Sequence, residues 1–486
     1  MLLKRILLTA AVLALGATLI ARATDAAPKR PNILFIMVDD LNHWVGYLGR
    51  NKQTITPNMD RLSAAGMSFT RACCAAPVCN PSRTAMFSGL RPGSTGVYGN
   101  ANDWRPVVPE DKTMITTLRK GGYEMLGAGK LYHMGFDRRS EYDDYLQETP
   151  TPGEKNPITT PLRFSQVIFA PLAGGDDSLP DWNTANYGIG QLGKPHAKPF
   201  FLGIGFHKPH PPFMVPQKYF AMHPLESIEL PPYRKNDLDD LPREGVRKAI
   251  GQGTHQMILK ADKWKAAVQA YLATISYVDV QVGRVLDALE KSPYRDNTIV
   301  VLMGDNGWHL GEKDHWGKTT LWEESTRVPL IWKVPGMTKP GSVCERTVDF
   351  MSTYPTLTDL CGVPTPKHVQ GISIRPLLEN PQAPWTLPAI TTSQEGQHTV
   401  RTEKWRYIRY QDGGDELYDE TADPFEWVNL AGKKEFAGVI QELAAFLPRE
   451  NKPTLGMSAG GSEEGESPDA ARAERAAARK ARKGKR

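Results

Sequence analysis

Two short clusters of oxygen-bearing side chains mark this chain, Asp39-Asp40 and Asp305-Asn306. The first directly follows the apolar run Asn32–Val38 (NILFIMV), and the second follows 298–303 (TIVVLM) across one glycine. In open α/β sheets ligands bind beyond the carboxyl ends of the strands. Three carboxylates and an amide brought together there form an all-oxygen pocket, which favours Ca²⁺ or Mg²⁺ over zinc. Ca²⁺ is the better match because it tolerates irregular geometry. Unpaired acids packed together repel, so a cation gives them a reason to coexist. Taken alone, each pair also reads as a turn or a helix cap. A third cluster is Cys79-Asn80-Pro81-Ser82-Arg83, closed by Ser88-Gly89. A helix starting there would polarise Cys79 and attract an anion, with Arg83 one turn along. An isolated cysteine would otherwise read as a half-buried structural residue.

These residues need a scaffold that brings distant strand ends together. The continuous apolar runs Asn32–Val38, Phe200–Phe206 and 298–303 suit strands buried on both faces. Thr56-Pro57 opens a helix that Gly66 closes. Further helices are expected from Cys79 to about Gly89, over 111–120 before Gly121-Gly122, and over Trp264–Lys291 before Pro293. The alternation implies an α/β sandwich with a large, mostly parallel central sheet flanked by helices. After about Pro384 the pattern changes. Short strands at 389–392, 398–401, 405–410 and 416–418, then a helix near 434–446, predict a smaller C-terminal antiparallel-sheet subdomain.

The 486 residues suit one large domain plus a smaller one. Hydrophobic residues at 40% and charged residues at 23% exclude a disordered chain, a coiled coil, a collagen and a multi-span membrane protein. The net charge of +5 is carried by the ends. The last fifteen residues hold eight Lys/Arg against one Glu, and Lys4, Arg5 and Arg22 add to the other end. The body between is mildly acidic, so the charge is no argument for nucleic acid. Lys4 and Arg5, an apolar run to Ile20 and Ala21-Arg22-Ala23 read as an export signal over 1–23, after whose cleavage no stable membrane insertion is expected. An uncleaved anchor is the alternative, though the run falls short of the ~20 residues a span needs. Residues 456–486 read as a solvated basic tail, with weak adhesion to anionic polymer or lipid as the other reading. Export, to periplasm or exterior, makes disulfides possible. Of Cys73, Cys74, Cys79, Cys344 and Cys361, an odd count leaves at least one unpaired, and Cys344 with Cys361 is an open pairing.

The segment CNPSRTAMFSG resembles the activation signature of the type I, formylglycine-dependent sulfatases, with Phe87-Ser88-Gly89 where that family usually has Leu-Thr-Gly. The likeness spans about residues 30–450 and includes PNILFIMVDDLNHW, GAGKLYH, FHKPHPPF and MGDNGWHLGEKDHWGKTTLWEESTRVPLI. Within the family it is most similar to the iduronate-2-sulfatase type. The resemblance implies an alkaline phosphatase-like catalytic domain over 28–384 and the antiparallel subdomain over 385–455. It implies that a dedicated maturation enzyme oxidises Cys79 to formylglycine, hydrated to a gem-diol. One hydroxyl would attack sulfur and the other would expel sulfate, splitting one hard step into two. Asp39, Asp40, Asp305, Asn306 and the residue at 79 would bind Ca²⁺. Arg83 would hold the formylglycine. Lys130 and Lys318 would bind sulfate, the latter in a segment with Glu324-Ser325 where the family has Gly-Gly. His133 would orient the diol and take its proton, and His210 would stand beside the leaving group. His207 and His309 join them as candidate substrate contacts, His207 reading also as a structural hydrogen-bonder. Trp44, Trp104 and Trp308 read as core residues or as a sugar-stacking wall.

The resulting expectation is a sulfatase acting on a sulfated carbohydrate, at a 2-O-sulfated uronate-like unit. A phosphomonoester or phosphonate ester hydrolase of the same fold, and a non-catalytic sulfated-glycan binding protein, are the alternatives. Residues 135–195 and 211–260 are expected to shape the pocket.

Overall fold

The computed structural model describes residues 30–147 and 156–456. The export signal and nearly all of the basic tail lie outside the described residues.

The chain begins with β1 (Asn32–Val38), β2 (Met67–Cys73), β3 (Glu124–Gly129) and β4 (Asp144–Leu146). A small ribbon, β5 (Leu162–Phe164) with β6 (Val167–Phe169), precedes β7 (Phe200–Phe206) and β8 (Thr298–Gly304). A second ribbon, β9 (His309–Leu310) with β10 (Trp316–Gly317), is followed by β11 (Leu330–Lys333) and β12 (Ser342–Asp349). The central sheet has eight strands in the order β12-β2-β11-β8-β1-β7-β3-β4. All run in one direction except β11, which is antiparallel to both its neighbours.

β1 is apolar throughout because both of its faces are covered. Leu34, Ile36 and Val38 enter one core, with the helices Pro57–Ala65, Pro180–Leu192 and Trp264–Lys291. Ile33, Phe35 and Met37 enter the other, with Cys79–Ser88, Met114–Lys120 and Thr353–Leu360. This is the period-two alternation of a strand between two helical layers. The helix expected over 111–120 starts later. Glu110–Lys112 is a single 3₁₀ turn, and the Thr113 side chain accepts from Thr116 N to cap Met114–Lys120.

Register then places the chemistry. Val38 pairs with Phe206 on one side and Gly304 on the other. The next residues, Asp39, His207 and Asp305, therefore leave the sheet side by side. Gly129 pairs with Gly205, which sets Lys130 beside Phe206 on the same edge. Gly129 has φ +73°, and a Cβ there would lie 2.1 Å from the Gly205 carbonyl oxygen, so only glycine fits.

The C-terminal sheet is antiparallel in the order β13 (Ala389–Gln394), β14 (Gln397–Arg401), β15 (Trp405–Arg409) and β16 (Asp415–Asp419). The helix Ala437–Ala444 follows. β13 is tied to the larger part of the chain just upstream of Cys79. Thr392 N donates to Ala75 O (3.0 Å), and the Thr391 hydroxyl donates to Cys74 O (2.6 Å).

Cys344 and Cys361 are both buried and carry free thiols, so the open pairing is not made. Cys344 lies on β12, where its Sγ lies 3.6 Å from Pro381 O, and Cys361 ends the helix Thr353–Leu360.

Candidate active site

Cys79 opens the helix Cys79–Ser88, all ten residues of which are buried, with Gly89 closing it at φ +69°. Its polar side chains are satisfied inside the protein, Asn80 by the Gly99 and Asn102 carbonyls, Ser82 by the Asp305 carbonyl and Arg83 by two carboxylates, so the helix can be sunk whole and drives its N-terminus into the carboxyl edge of the sheet. The Cys79 thiol lies 3.2 Å from Asp39 Oδ1 and 3.7 Å from Asp40 Oδ1. Ligand atoms of Asp39, Asp40, Cys79 and Asp305 all fall within 4.8 Å of one another, and Asp39, Cys79 and His210 form a second such group. Asp40 takes a left-handed backbone, φ +57°. Its N–H donates to Asp305 Oδ1 (2.9 Å), as does that of Asn306 (2.8 Å).

Three fixed cations surround the carboxylates. Arg83 donates through Nε to Asp305 Oδ2 (2.8 Å) and through Nη2 to Asp39 Oδ1 (2.9 Å). Its Nη1 reaches the carbonyls of Lys130 and Leu131. Lys130 Nζ lies 2.5 Å from Asp39 Oδ2. Lys318 Nζ donates to Asp40 Oδ1 (2.8 Å) and to Cys79 Sγ (2.9 Å). Burial alone would raise the Asp39 carboxyl, but Lys130 and Arg83 outweigh it and hold it well below the usual range. Asp305 goes the other way. Burial pushes it up to about 7 despite Arg83, with Asp39 and Asp40 adding repulsion. The Cys79 thiol is raised well above its ordinary value, first by burial and then by the Asp39 charge.

The donors suit a hard divalent ion. Asn306 Nδ2 donates to Asp40 Oδ1 (2.7 Å) and Gly307 O (3.0 Å), while its Oδ1 is buried with no hydrogen-bond partner. An orphaned amide oxygen beside three carboxylates is the oxygen set Ca²⁺ takes. Three acids facing three cations are near neutral together. A divalent ion would leave the cluster positive, the sign that an anionic ester needs.

The histidines divide. His210 Nδ1 donates to Pro211 O (2.6 Å), and Nε2 faces Asp40 Oδ2 at 3.9 Å. The His207 ring packs edge-on to it, centroids 4.7 Å apart. Asp181 fixes that turn by accepting from His207 N (2.7 Å) and Lys208 N (3.0 Å). His133 is buried, three residues beyond Lys130, its ring 6.1 Å from that of Phe136. His309, expected as a substrate contact, is wholly buried. Its Nδ1 donates to Glu312 O (3.3 Å), its Nε2 meets the Thr320 hydroxyl (2.8 Å), and burial holds its pKa well down. Trp44, Trp104 and Trp308 are all buried core, so they form no sugar-stacking wall. Trp104 stacks on Tyr132 at 4.9 Å, and Trp308 lies under Lys318, whose Nζ is 5.8 Å from its ring.

Sequence reasoning missed the supports. Tyr271, on the long helix, donates to Asp40 O (2.8 Å) and accepts from Asn42 N (3.1 Å). Ser82 donates to Asp305 O (2.6 Å). The Ser82 contact was available from its place in the Cys79 motif. Tyr271 and Asp181 carry no local signal.

Comparison with known proteins points to one family. The sulfatase family profile matches residues 31–363, and that of the N-sulphoglucosamine sulphohydrolase C-terminal region matches 311–452. A sulfatase of Formosa agariphila is 36% identical over 474 residues, covering 90% of this chain and 92% of that protein. The iduronate 2-sulfatase of Mus musculus is 32% identical over 393 residues, covering 71% and 70%. Among solved structures, the phosphonate monoester hydrolase of Silicibacter pomeroyi aligns with a TM-score of 0.74 at 20% identity, over 90% of this chain and 100% of that one. At that identity the likeness shows the fold alone. With a family match across most of the catalytic part and a relative alignable almost end to end, the chain belongs to the sulfatase family and is a sulfuric ester hydrolase.

Proposed function

We propose that this sulfatase hydrolyses a sulfate ester of a sulfated carbohydrate, at a 2-O-sulfated uronate unit, with Cys79 converted to formylglycine and Ca²⁺ bound beside it. The observation that carries the reading is the convergence of Cys79 with Asp39, Asp40 and Asp305 within 4.8 Å. The sugar assignment draws on similarity to an iduronate 2-sulfatase.

When present, hydrated formylglycine supplies the attacking hydroxyl and Ca²⁺ draws charge from the sulfate oxygens. Asp39, Asp40, Asp305 and Asn306 would hold the ion, with the residue at 79 alongside. Arg83 fixes position 79 by bridging Asp39 and Asp305. Lys130 and Lys318 offer ammonium groups to the sulfate oxygens. His210 gives a proton to the departing alcohol, and His133 orients the hydroxyls at 79 and takes a proton from them. His207 packs on His210 and fixes its ring. The reading carries with it a maturation enzyme acting on Cys79, export of the chain, and no nucleic-acid partner. No described helix is long and apolar enough to cross a membrane.

The test is intact-mass analysis after co-expression with a formylglycine-generating enzyme, followed by a panel of sulfated glycan fragments and matched phosphate esters. Conversion lowers the mass by about 18 Da, and sulfate esters should react faster than phosphates. An unconverted Cys79 in an active preparation, or faster phosphate turnover, refutes the assignment.

A further inference from the structure

Lys318 also lines a cavity of about 190 Å³. Pockets that engulf drug-sized ligands run to about 300–1,000 Å³, so this one suits a small group. Arg247 and Lys248, from the helix Arg243–Ile250, contribute to its wall, as do Gln166, Gln252 and Gln394. No acidic side chain is among its lining residues. The wall is joined to the site described above. His315 ring nitrogens sit 3.0 Å from Ala249 O and 3.1 Å from Lys318 O, tying the helix to the Lys318 loop. Thr319, a β-branched residue, is held at φ +80°. Such a backbone is strained and persists only where its surroundings enforce it. Here Thr319 N donates to Pro77 O (2.8 Å), and its carbonyl accepts from Ser393 (2.8 Å).

Lys248 is the unexplained group. It is 8% exposed, and its ammonium donates to the Ser393 hydroxyl (3.0 Å) and more distantly to Thr319 O (3.5 Å), both neutral. The neighbouring acid, Glu244, is engaged instead by Arg247 (2.5 and 2.7 Å) and Gln397 (3.0 Å). Burial, with Arg247 adding, lowers the Lys248 pKa to about 8. A buried ammonium without a counter-ion is costly, and a bound anion removes that cost. Lys318 points to Asp40 and Cys79, where it is assigned to the sulfate under attack, so a second anion in this cavity falls to Lys248.

We propose that the cavity is an anion subsite, with Lys248 as its cation and Arg247 at its mouth, that takes a second negatively charged substituent of the sulfated sugar. This rests on the sulfatase reading above. The substituent is a uronate carboxylate or a second sulfate, and both offer the same acceptor chemistry.

The test compares kcat/KM on three substrates: a 2-O-sulfated uronate disaccharide, its carboxyl-reduced counterpart, and that counterpart carrying a second sulfate. The mature enzyme should prefer one doubly charged substrate over the singly charged one by at least about tenfold, the scale of one charge-assisted hydrogen bond. Whichever is preferred names the substituent. Lys248→Gln should bring the ratio close to one, Lys248→Arg should recover part of it, and Arg247→Gln, on an exposed residue, should lower it without a folding risk. Equal rates in the wild type, or an equal loss on all three substrates in Lys248→Gln, overturns the proposal. Should no sulfate ester turn over, the sulfatase reading fails separately. Calorimetry with the unsulfated uronate disaccharide and with free sulfate then judges the cavity: binding of either that weakens at least about tenfold in Lys248→Gln supports the subsite, and unchanged or absent binding of both overturns it.

Discussion

Arg83→Lys tests whether the cluster is held by geometry or by charge alone. Arg83 links three strand ends: Asp39 after β1, Asp305 after β8, and the Lys130 and Leu131 carbonyls after β3. Lysine keeps the charge but has a shorter reach and no planar fork. It cannot span Asp39 and Asp305 while also reaching both carbonyls. At least one charge-assisted and one neutral hydrogen bond are lost, at about 1.5–3 and 0.5–1.5 kcal/mol, and the released carboxylate is left buried. The two bonds sum to about 2–4.5 kcal/mol, against a total stability of roughly 5–15 kcal/mol for a folded protein. The variant should therefore fold. Urea unfolding with calcium present should show the lost stability. Turnover of a sulfate ester should fall about 5-fold to 2,000-fold if half or more of that energy positions the reacting groups. Stability within about 1 kcal/mol of wild type together with kcat within threefold would show that the fork is not needed, and the reasoning from geometry would be wrong.

Further outcomes follow from the same contacts. Chelation should abolish turnover and lower the melting temperature, and Ca²⁺ should restore both where Zn²⁺ does not, since the donor set is all oxygen. Cys79→Ala should abolish sulfate ester hydrolysis while leaving the circular dichroism and melting transition close to wild type; turnover at the native rate would sink the mechanism. Gly129→Ala forces a Cβ to within 2.1 Å of the Gly205 carbonyl at φ +73°, and should cost about 1–3 kcal/mol or more in chemical denaturation while lowering kcat through the displaced Lys130. Burial pushes Glu141 up to about 7 despite hydrogen bonds from Tyr132 and Thr113. Its raised folded value contributes stability that is fully present below the unfolded pKa near 4.5 and is lost as pH rises toward 7. Glu141→Gln should flatten that part of the stability–pH curve, measured by denaturation at fixed pH steps.

The central strands could be read from sequence because their burial leaves a direct trace. A strand covered on both faces is apolar at every position, as in β1 and β8, and the acids that follow must lie at the ligand-binding edge. The Cys79 segment was legible through its string of types, and the C-terminal strands through alternation and turns. Other parts depend on tertiary packing that local pattern does not encode. His309 lies three residues past Asn306, which made it look like part of the pocket, yet the β9–β10 ribbon turns its ring toward Thr320 and Glu312. Cys344 and Cys361 are close in sequence but are held by separate elements. Lys248 and Tyr271 sit on helices whose patterning reports only burial, so their aim at the site emerges once those helices pack. β11, short and antiparallel, carries no mark distinguishing its direction.

The contacts of Thr391 and Thr392 with Cys74 and Ala75 set a schedule for biosynthesis. Position 79 leaves the ribosome early, whereas the strand that ties down the segment just before it is made some three hundred residues later. In the finished protein the sulfur is wholly inaccessible. On the formylglycine reading proposed above, a converting enzyme would reach that sulfur while the chain is still open, and a mutation that hastens closure would yield well-folded but unconverted, inert product.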